Sequence, residues 1–214
     1  MHMADCGPRT KVTSKDELRQ RIRSSRDQVP SSWRQLMARA ATNRALPYFQ
    51  GHETIAVYNA IRSELDPILL IEALRARGAT LVYPRVAADS PVLEFCKVHV
   101  ADPFEPGPFG LLEPSRDAEL VDIADIDAFA IPGLSFDRNG NRLGWGKGHY
   151  DHTLAQNSHA LRIGLCFQEQ IEPSLPHDAN DQSMDWVVTD AIAFQGRERG
   201  ATQDPRETLP KVPS

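Results

Sequence analysis

Short apolar runs alternate with amphipathic stretches along most of the chain. The apolar runs span four to seven residues, contain many β-branched and aromatic side chains, and are bounded by polar residues or proline, which is typical of buried strands. The predicted strands are 55–58, 80–83, 92–98, 128–131, 161–167 and 186–189, and 191–194 is predicted as a short edge piece.

Helix boundaries are indicated by capping residues. Ser14 and Glu17 have the spacing of a capping box and predict the start of a first helix. Asp66 and Pro67 predict another helix start, with Asp at the N-cap and Pro at the first helical position. That helix is expected to end at Gly78.

A second helix is expected after the break at Pro30. Ser32 and Gln35 have the capping-box spacing, and Trp33 is interpreted as a core residue rather than a functional one. The apolar stripe predicted for this helix consists of Trp33, Leu36, Met37, Ala40 and Ala41.

The alternation of strand and helix patterns predicts one three-layer α/β/α domain with a mostly parallel sheet, over 14–195. Residues 1–13 are polar and are predicted to be flexible. Residues 196–214 lack apolar periodicity and are predicted to be a disordered tail. The proline- and glycine-rich segment 102–114 is interpreted as an ordered loop that could cover a site.

The strands 55–58 and 80–83 flank a helical pattern and predict a right-handed βαβ unit. In open parallel sheets, ligands bind at the carboxyl ends of the strands. Asn59, Glu64 and Arg85 are therefore expected at one edge, together with the loop that follows 128–131.

The loop after 128–131 lies in the segment 134–151 and is called the glycine loop below. It is the candidate site of the chemistry. It contains Gly140, Gly144, Gly146, Gly148 and a lysine between an apolar run and a helical pattern. Glycines let the backbone approach an anion, and unpaired N–H groups favour negative charge. The spacing matches neither a Walker A loop nor the dinucleotide fingerprint, so a plain surface loop remains an open alternative.

Charged residues near this loop have two possible interpretations. Lys15, Arg19 and Arg23 recur on one face of the first helix, which is either a solvated basic face or a surface over a polyphosphate. Asp151 begins the helix after the loop and is either a helix cap or, alone or with Asp181, a magnesium ligand.

The net charge, the length of the apolar runs and the cysteines argue against several classes of function. The 214 residues carry a formal net charge of -5, which gives no overall basic signal for nucleic acid. No apolar run approaches the length of a membrane span. Cys6, Cys96 and Cys166 are far apart and contain no C-x-x-C, which predicts a reducing, cytoplasmic location and argues against a zinc site.

The segment 132–151, PGLSFDRNGNRLGWGKGHYD, resembles the signature of the 5-formyltetrahydrofolate cyclo-ligase family, also called methenyltetrahydrofolate synthetases. The resemblance extends over roughly 15–190. Shorter motifs follow in the order of the family: K-x-x-L-R at 15–19, SELD at 63–66, FGLLEP at 109–114, and the segments 164–170, 175–176, 180–181 and 186–189.

The resemblance implies the fold of the NagB, ribose-5-phosphate isomerase and CoA-transferase group. It implies that 5-formyltetrahydrofolate and ATP, with Mg²⁺, give 5,10-methenyltetrahydrofolate, ADP and phosphate. The formyl oxygen attacks the γ-phosphate, and N10 of the folate then closes the ring as phosphate leaves. The expected partners are a small-molecule folate and ATP, with no nucleic acid or membrane, and the expected state is a monomer.

The resemblance also assigns site residues. The catalytic residues are Lys147 and Tyr150, and the metal ligands are Asp151 and Asp181. The ATP-binding residues are Lys15, Arg19, Arg142, Leu143, Gly144, Trp145, Gly146, Lys147, Gly148, His149 and Tyr150. The substrate-binding residues are Tyr58, Asn59, Glu64, Trp145, Gly146, Lys147, Gly148 and His149.

The chain departs from the family pattern at four positions. Trp145 and His152 stand where arginines are common, His149 replaces a tyrosine, and Pro67 replaces a threonine. These departures keep open a second hypothesis, a non-catalytic folate- or nucleotide-binding protein of the same fold. A sugar-phosphate or CoA-ester enzyme is a third hypothesis, which rests only on fold analogy.

Overall fold

A computed structural model describes residues 14–197. The predictions for 1–13 and for the tail beyond 197 lie outside the described residues. The α-helices are α1 (Lys15–Gln28), α2 (Ser31–Ala45), α3 (Ile68–Ala76) and α4 (His149–Leu154). The strands are β1 (Thr54–Ala56), β2 (Thr80–Val86), β3 (Leu93–Lys97), β4 (Phe104–Pro106), β5 (Leu112–Pro114), β6 (Leu120–Val121), β7 (Ala128–Pro132), β8 (Ser135–Asp137), β9 (Arg142–Leu143), β10 (Leu161–Leu165), β11 (Ile171–Glu172), β12 (Trp186–Val188) and β13 (Ala193–Gln195).

An eight-stranded sheet in the order β13-β12-β10-β7-β1-β2-β3-β6 forms the centre of the domain. The five strands from β12 to β2 pair in parallel, and β13, β3 and β6 pair antiparallel at the two edges. The predicted mixed α/β fold with a mostly parallel sheet is confirmed, and β1 and β2 are parallel as the βαβ pattern indicates.

Successive residues of the central strands face opposite sides of the sheet, because side chains alternate along a strand. In β7, Ala128 and Ala130 pack in the core under α2 and α3, whereas Phe129 and Ile131 pack in the core on the other side, beside Leu154 of α4. Both faces of β7 are therefore buried, which explains why its sequence is continuously apolar.

Helix α1 packs against the segment that carries the glycine loop rather than flat on the sheet. Leu18 and Ile22 are buried against Leu134, Leu143 and Leu175. Burial of such a side chain stabilises the fold by roughly 1.5–3 kcal/mol. The predicted capping box is present, since Ser14 Oγ accepts from Glu17 N at 3.2 Å and Glu17 Oε2 accepts from Ser14 N at 2.9 Å.

The prediction for α2 is wrong in two respects. The helix begins at Ser31 after Pro30 and has no side-chain cap hydrogen bond, so Ser32 lies inside the helix and forms no capping box. Trp33 and Leu36 are 59% and 60% exposed. The buried face consists of small residues, Ala38, Ala41, Thr42 and Ala45. Small side chains let this face of α2 lie close to the neighbouring elements, and the larger side chains of Trp33 and Leu36 lie on the exposed face.

Two other boundaries differ from the sequence pattern. Pro67, not Asp66, occupies the N-cap position of α3, and Asp66 Oδ1 accepts a hydrogen bond from Ile68 N at 3.0 Å. Segment 102–114 is not only a loop, because β4 and β5 pair antiparallel there. Gly78 does follow α3 in a left-handed conformation with φ of +84°. No helix among residues 14–197 is long and apolar enough to cross a membrane.

Candidate active site

A cavity of about 580 Å³ opens between α1, the glycine loop and the carboxyl ends of β1, β2 and β7. Every site residue assigned from the sequence lines this cavity: Lys15, Arg19, Tyr58, Asn59, Glu64, Arg142, Leu143, Gly144, Trp145, Gly146, Lys147, Gly148, His149, Tyr150, Asp151 and Asp181. The structure thus brings together residues that are up to 166 positions apart.

Arg85 was expected at the same edge but does not line the cavity. The antiparallel register of β2 and β3 places it opposite Glu94. Its guanidinium forms an ion pair with that carboxylate at 2.9 Å and donates to the carbonyl oxygen of Ser115 at 2.7 Å. Arg85 thus lies at the predicted edge, near the end of β2, but its side chain pairs with β3 instead of lining the cavity.

The base of the glycine loop is fixed by Asp137, which is fully buried. Its carboxylate accepts hydrogen bonds from Asn139 N at 2.9 Å, Asn141 N at 3.0 Å and Leu175 N at 3.0 Å. A carboxylate surrounded by backbone donors is well satisfied, so it can hold a tight turn in the interior. The loop beyond this turn consequently projects from a rigid base.

Two glycines of the loop have conformations that other residues rarely adopt. Gly146 has φ of +100° and Gly148 has φ of +72°, directly before α4. A Cβ atom on Gly146 would lie 3.2 Å from Cζ of Arg19. Glycine is therefore needed here both for the backbone conformation and for the close approach of α1.

The basic stripe of α1 faces the cavity. Lys15 Nζ donates to Asp178 Oδ2 at 2.6 Å and to Asp181 Oδ2 at 2.7 Å. Burial lowers the pKa of Lys15, but its hydrogen bonds to the two carboxylates outweigh burial, so its pKa is raised overall. Arg19 Nε donates to the carbonyl oxygen of Gly144 at 3.0 Å. Of the two interpretations of this stripe, the structure favours the one that places it at a site.

Asp151 and Asp181 lie in the cavity with partners of their own. Asp151 Oδ2 pairs with Arg142 at 3.1 Å, and Asp151 Oδ1 accepts from the backbone N–H of Gln182 at 3.2 Å. Within residues 14–197, no three histidine, cysteine, aspartate or glutamate side chains are grouped so that they could hold a metal by themselves. Magnesium commonly uses one or two carboxylates together with substrate phosphates, so the assignment of Asp151 and Asp181 as its ligands stays a prediction.

Another part of the cavity wall is built around Glu64, which is 6% exposed. Its Oε1 accepts from Trp145 Nε1 at 2.9 Å, and its Oε2 accepts from Ile61 N at 3.1 Å. Burial raises the pKa of Glu64, while these two donors and the charge of Arg26 oppose the rise. A buried carboxylate that keeps an unused lone pair on each oxygen is suited to bind N–H groups of a ligand.

Tyr58 and Asn59 complete this part of the wall. The Tyr58 hydroxyl donates to the carbonyl oxygen of Leu65 at 2.8 Å, and burial raises its pKa well above the usual value. Asn59 Nδ2 donates to the carbonyl oxygen of Leu112 at 2.9 Å, which ties β5 to the cavity wall. The hairpin of β4 and β5 thus borders the site.

The sequence profile of the 5-formyltetrahydrofolate cyclo-ligase family matches residues 11–190. The chain belongs to this family. A 5-formyltetrahydrofolate cyclo-ligase of Mycolicibacterium smegmatis is 30% identical over 189 residues, which cover 82% of this chain and 93% of that protein. One of Mus musculus is 26% identical over 185 residues, with 80% and 89% covered.

Solved structures agree with this assignment. The 5,10-methenyltetrahydrofolate synthetase of Aquifex aeolicus has a TM-score of 0.75 and 28% identity, and the match covers 91% of this chain and 99% of that chain. The synthetase of Mycoplasma pneumoniae has a TM-score of 0.69 at 23% identity, with 83% and 99% covered, and shares the fold. The predicted family, enzyme class and fold are confirmed.

The residues that depart from the cyclo-ligase pattern differ in whether they line the cavity. Trp145 lies inside the cavity, and His149 lines it while its Nδ1 bonds the carbonyl oxygen of Pro91 at 2.8 Å. His152 is exposed and does not line the cavity. Of these three residues, His152 therefore contributes nothing to the cavity lining.

Sequence reasoning missed several residues of the site. Asp178 pairs with Lys15 in the cavity wall, and its position three residues before Asp181 was the available signal. Glu113 is buried in the wall and accepts a hydrogen bond from Val86 N at 3.0 Å. Arg62 lines the cavity with a left-handed φ of +54°, which no sequence pattern indicated.

Proposed function

We propose that the protein converts 5-formyltetrahydrofolate and ATP to 5,10-methenyltetrahydrofolate, ADP and phosphate. The observation that carries this proposal is that the residues assigned to the nucleotide and those assigned to the folate line one cavity, with the glycine loop between them. Phosphoryl transfer depends mainly on positioning and on neutralising charge. A shared cavity can position the two substrates together, and the cations that line it can neutralise charge on the phosphates.

The nucleotide binds at the end formed by α1 and the glycine loop. Lys15, Arg19 and Lys147 surround the triphosphate, and backbone N–H groups of the loop complete its contacts. Lys15 and Arg19 are already held by Asp181 and by the carbonyl oxygen of Gly144, so their positions are set before the ligand arrives.

Asp151 and Asp181 would hold Mg²⁺ together with phosphate oxygens, and the ion would neutralise charge on the triphosphate. Arg142, which is largely buried, orients Asp151 through their ion pair and lies 5.3 Å from the ring of Tyr150. These contacts support the placement of phosphoryl transfer on this side of the cavity.

The reaction proceeds in two displacements. The formyl oxygen attacks the γ-phosphorus and ADP leaves, which converts a poor leaving group, the amide oxygen, into a phosphate ester. N10 then attacks the formyl carbon and loses its proton to the departing phosphate, the C–O bond breaks, and hydrogen phosphate leaves with the former formyl oxygen. Lys147 stabilises the transferred phosphoryl group. Burial raises the pKa of Tyr150, so its phenol stays protonated at neutral pH and can donate a hydrogen bond.

The assay that tests the proposal measures the absorbance of the methenyl product. We expect product only when 5-formyltetrahydrofolate, ATP and magnesium are all present, and none when a non-hydrolysable ATP analogue replaces ATP. Product formed without ATP would contradict the proposal. Tight folate binding with no turnover under any condition would instead support the non-catalytic alternative, which the Trp145 and His149 departures motivate.

Folate affinity is expected to depend on the ionisation of Glu64. Its raised pKa means that it gains a proton at a higher pH than an ordinary glutamate, so kcat/KM for folate falls as pH drops through that raised pKa. The stability contribution of this group has the opposite sign: it is present below the unfolded pKa and is lost as pH rises through the folded pKa. A pH profile of kcat/KM checks this, and Glu64→Gln should lack the acidic limb. An identical limb in the variant would assign it to another group.

A further inference from the structure

The side chain of Trp145 links the glycine loop to Glu64 in the cavity wall. Its indole N–H donates to Glu64 Oε1 at 2.9 Å, across 81 positions of sequence. Ile61 N supplies the donor to the other oxygen. The orientation of the Glu64 carboxylate therefore depends on one donor from its own segment, Ile61 N, and one from the glycine loop, Trp145 Nε1.

Helix α1 holds the loop on both sides of Trp145. Arg19 Nε donates to the carbonyl oxygen of Gly144, the residue before it, at 3.0 Å. Gly146, the residue after it, lies so close to the Arg19 guanidinium that an added Cβ would be 3.2 Å from Cζ. A phosphate that engages Arg19 and the loop backbone therefore acts directly on the two residues that position the indole.

Three guanidinium groups face the indole ring. The Cζ atoms of Arg23, Arg62 and Arg26 lie 5.1, 5.4 and 5.8 Å from its centroid. Arg26 is 1% exposed, and its buried Nη1 has no hydrogen-bond partner among residues 14–197. Cations over an aromatic face are attracted by its quadrupole. These cations favour the ring orientation in which the indole N–H reaches Glu64.

We propose that Trp145 is a positioning residue that couples nucleotide binding at the loop to folate binding at Glu64. This inference rests on the proposed function. Phosphate contacts to Arg19 and to the loop backbone restrict Gly144 and Gly146, and with them the indole whose N–H holds the Glu64 carboxylate in the orientation that accepts the folate. By linkage, folate strengthens nucleotide binding by the same factor.

The test is calorimetric titration of 5-formyltetrahydrofolate into the full chain, with and without a non-hydrolysable ATP analogue and magnesium. In the wild type, the analogue should lower the folate Kd by about tenfold. Trp145→Phe keeps an aromatic ring over the arginines but has no N–H, and it should reduce this factor to below about twofold. Trp33→Phe, on the exposed face of α2, is the matched control and should keep the wild-type factor.

The outcomes separate this inference from the proposed function. A wild-type protein that binds neither ligand overturns the proposed function. Binding of both ligands with no coupling in the wild type, or with undiminished coupling in Trp145→Phe, overturns the role of Trp145 alone. Trp145→Leu also has no side-chain donor and serves as the second variant if Trp145→Phe does not fold.

Discussion

Lys147→Ala is expected to lower kcat for methenyl product formation by about 10²–10³-fold, because it removes a cation aimed at charge that develops in the transition state. Lys147 is exposed at the cavity, in the loop between two left-handed glycines, so its loss leaves the packing of the core unchanged. The thermal midpoint should therefore stay close to that of the wild type. Absorbance of the product measures kcat, and a thermal melt measures stability.

Lys97→Ala is the matched control for this variant. Lys97 lies on β3, outside the cavity lining, and its removal takes away the same charge from the protein. It should leave kcat within about twofold of the wild type. Equal losses of activity in both variants would show that net charge, and not the position of Lys147, determines the rate.

Glu64→Gln is expected to lower kcat/KM for folate by roughly 10²-fold, since hydrogen bonds to a charged acceptor are worth about 1.5–3 kcal/mol each. The same change is also expected to lower the thermal midpoint, because a glutamine has one acceptor oxygen for two donors, Trp145 Nε1 and Ile61 N. Loss of the buried charge opposes this effect, since burial disfavours the ionised carboxylate. Steady-state kinetics and a thermal melt measure the two effects separately.

The control for Glu64→Gln is Glu94→Gln. Glu94 forms an ion pair with Arg85 on the sheet edge, outside the cavity lining, and its removal should leave kcat/KM unchanged. A Glu64→Gln variant with normal kcat/KM would contradict the assignment of Glu64 to the folate. Loss of kcat/KM that matches the fraction of variant unfolded at the assay temperature would instead make Glu64 a structural residue.

The parts of the fold that sequence predicts are those in which local pattern and burial agree. The run Ala128-Phe129-Ala130-Ile131 is apolar because both of its faces are covered, and it becomes a central parallel strand. The Ser14 and Glu17 pair forms the expected capping box. Such signals need no knowledge of distant partners.

Errors arise where distant partners decide the outcome. Trp33 and Leu36 fit an apolar stripe, but the face of α2 that packs against the neighbouring elements consists of alanines and Thr42. The large side chains therefore remain exposed. Arg85 stands at the expected sheet edge, yet the register of β2 and β3 pairs it with Glu94. Neither the exposure of Trp33 and Leu36 nor the pairing of Arg85 with Glu94 can be predicted from local periodicity.

The candidate site shows the same division. The glycine loop and its lysine form a contiguous motif, so their place in the cavity followed from the sequence. The bond between Trp145 and Glu64 spans 81 positions and depends on how α1 packs beside the loop. Arg62 likewise enters the site through its backbone conformation and its contact with Trp145, which only the three-dimensional structure reveals.

The fate of the formyl oxygen tests most directly whether this cavity transfers a phosphoryl group from ATP to the folate. The substrate is 5-formyltetrahydrofolate with ¹⁸O in the formyl group, and the released phosphate is analysed by mass spectrometry. Transfer of the label into inorganic phosphate is the predicted result, because the formyl oxygen leaves as part of the phosphate. Unlabelled phosphate, with the ¹⁸O recovered in water, would contradict it.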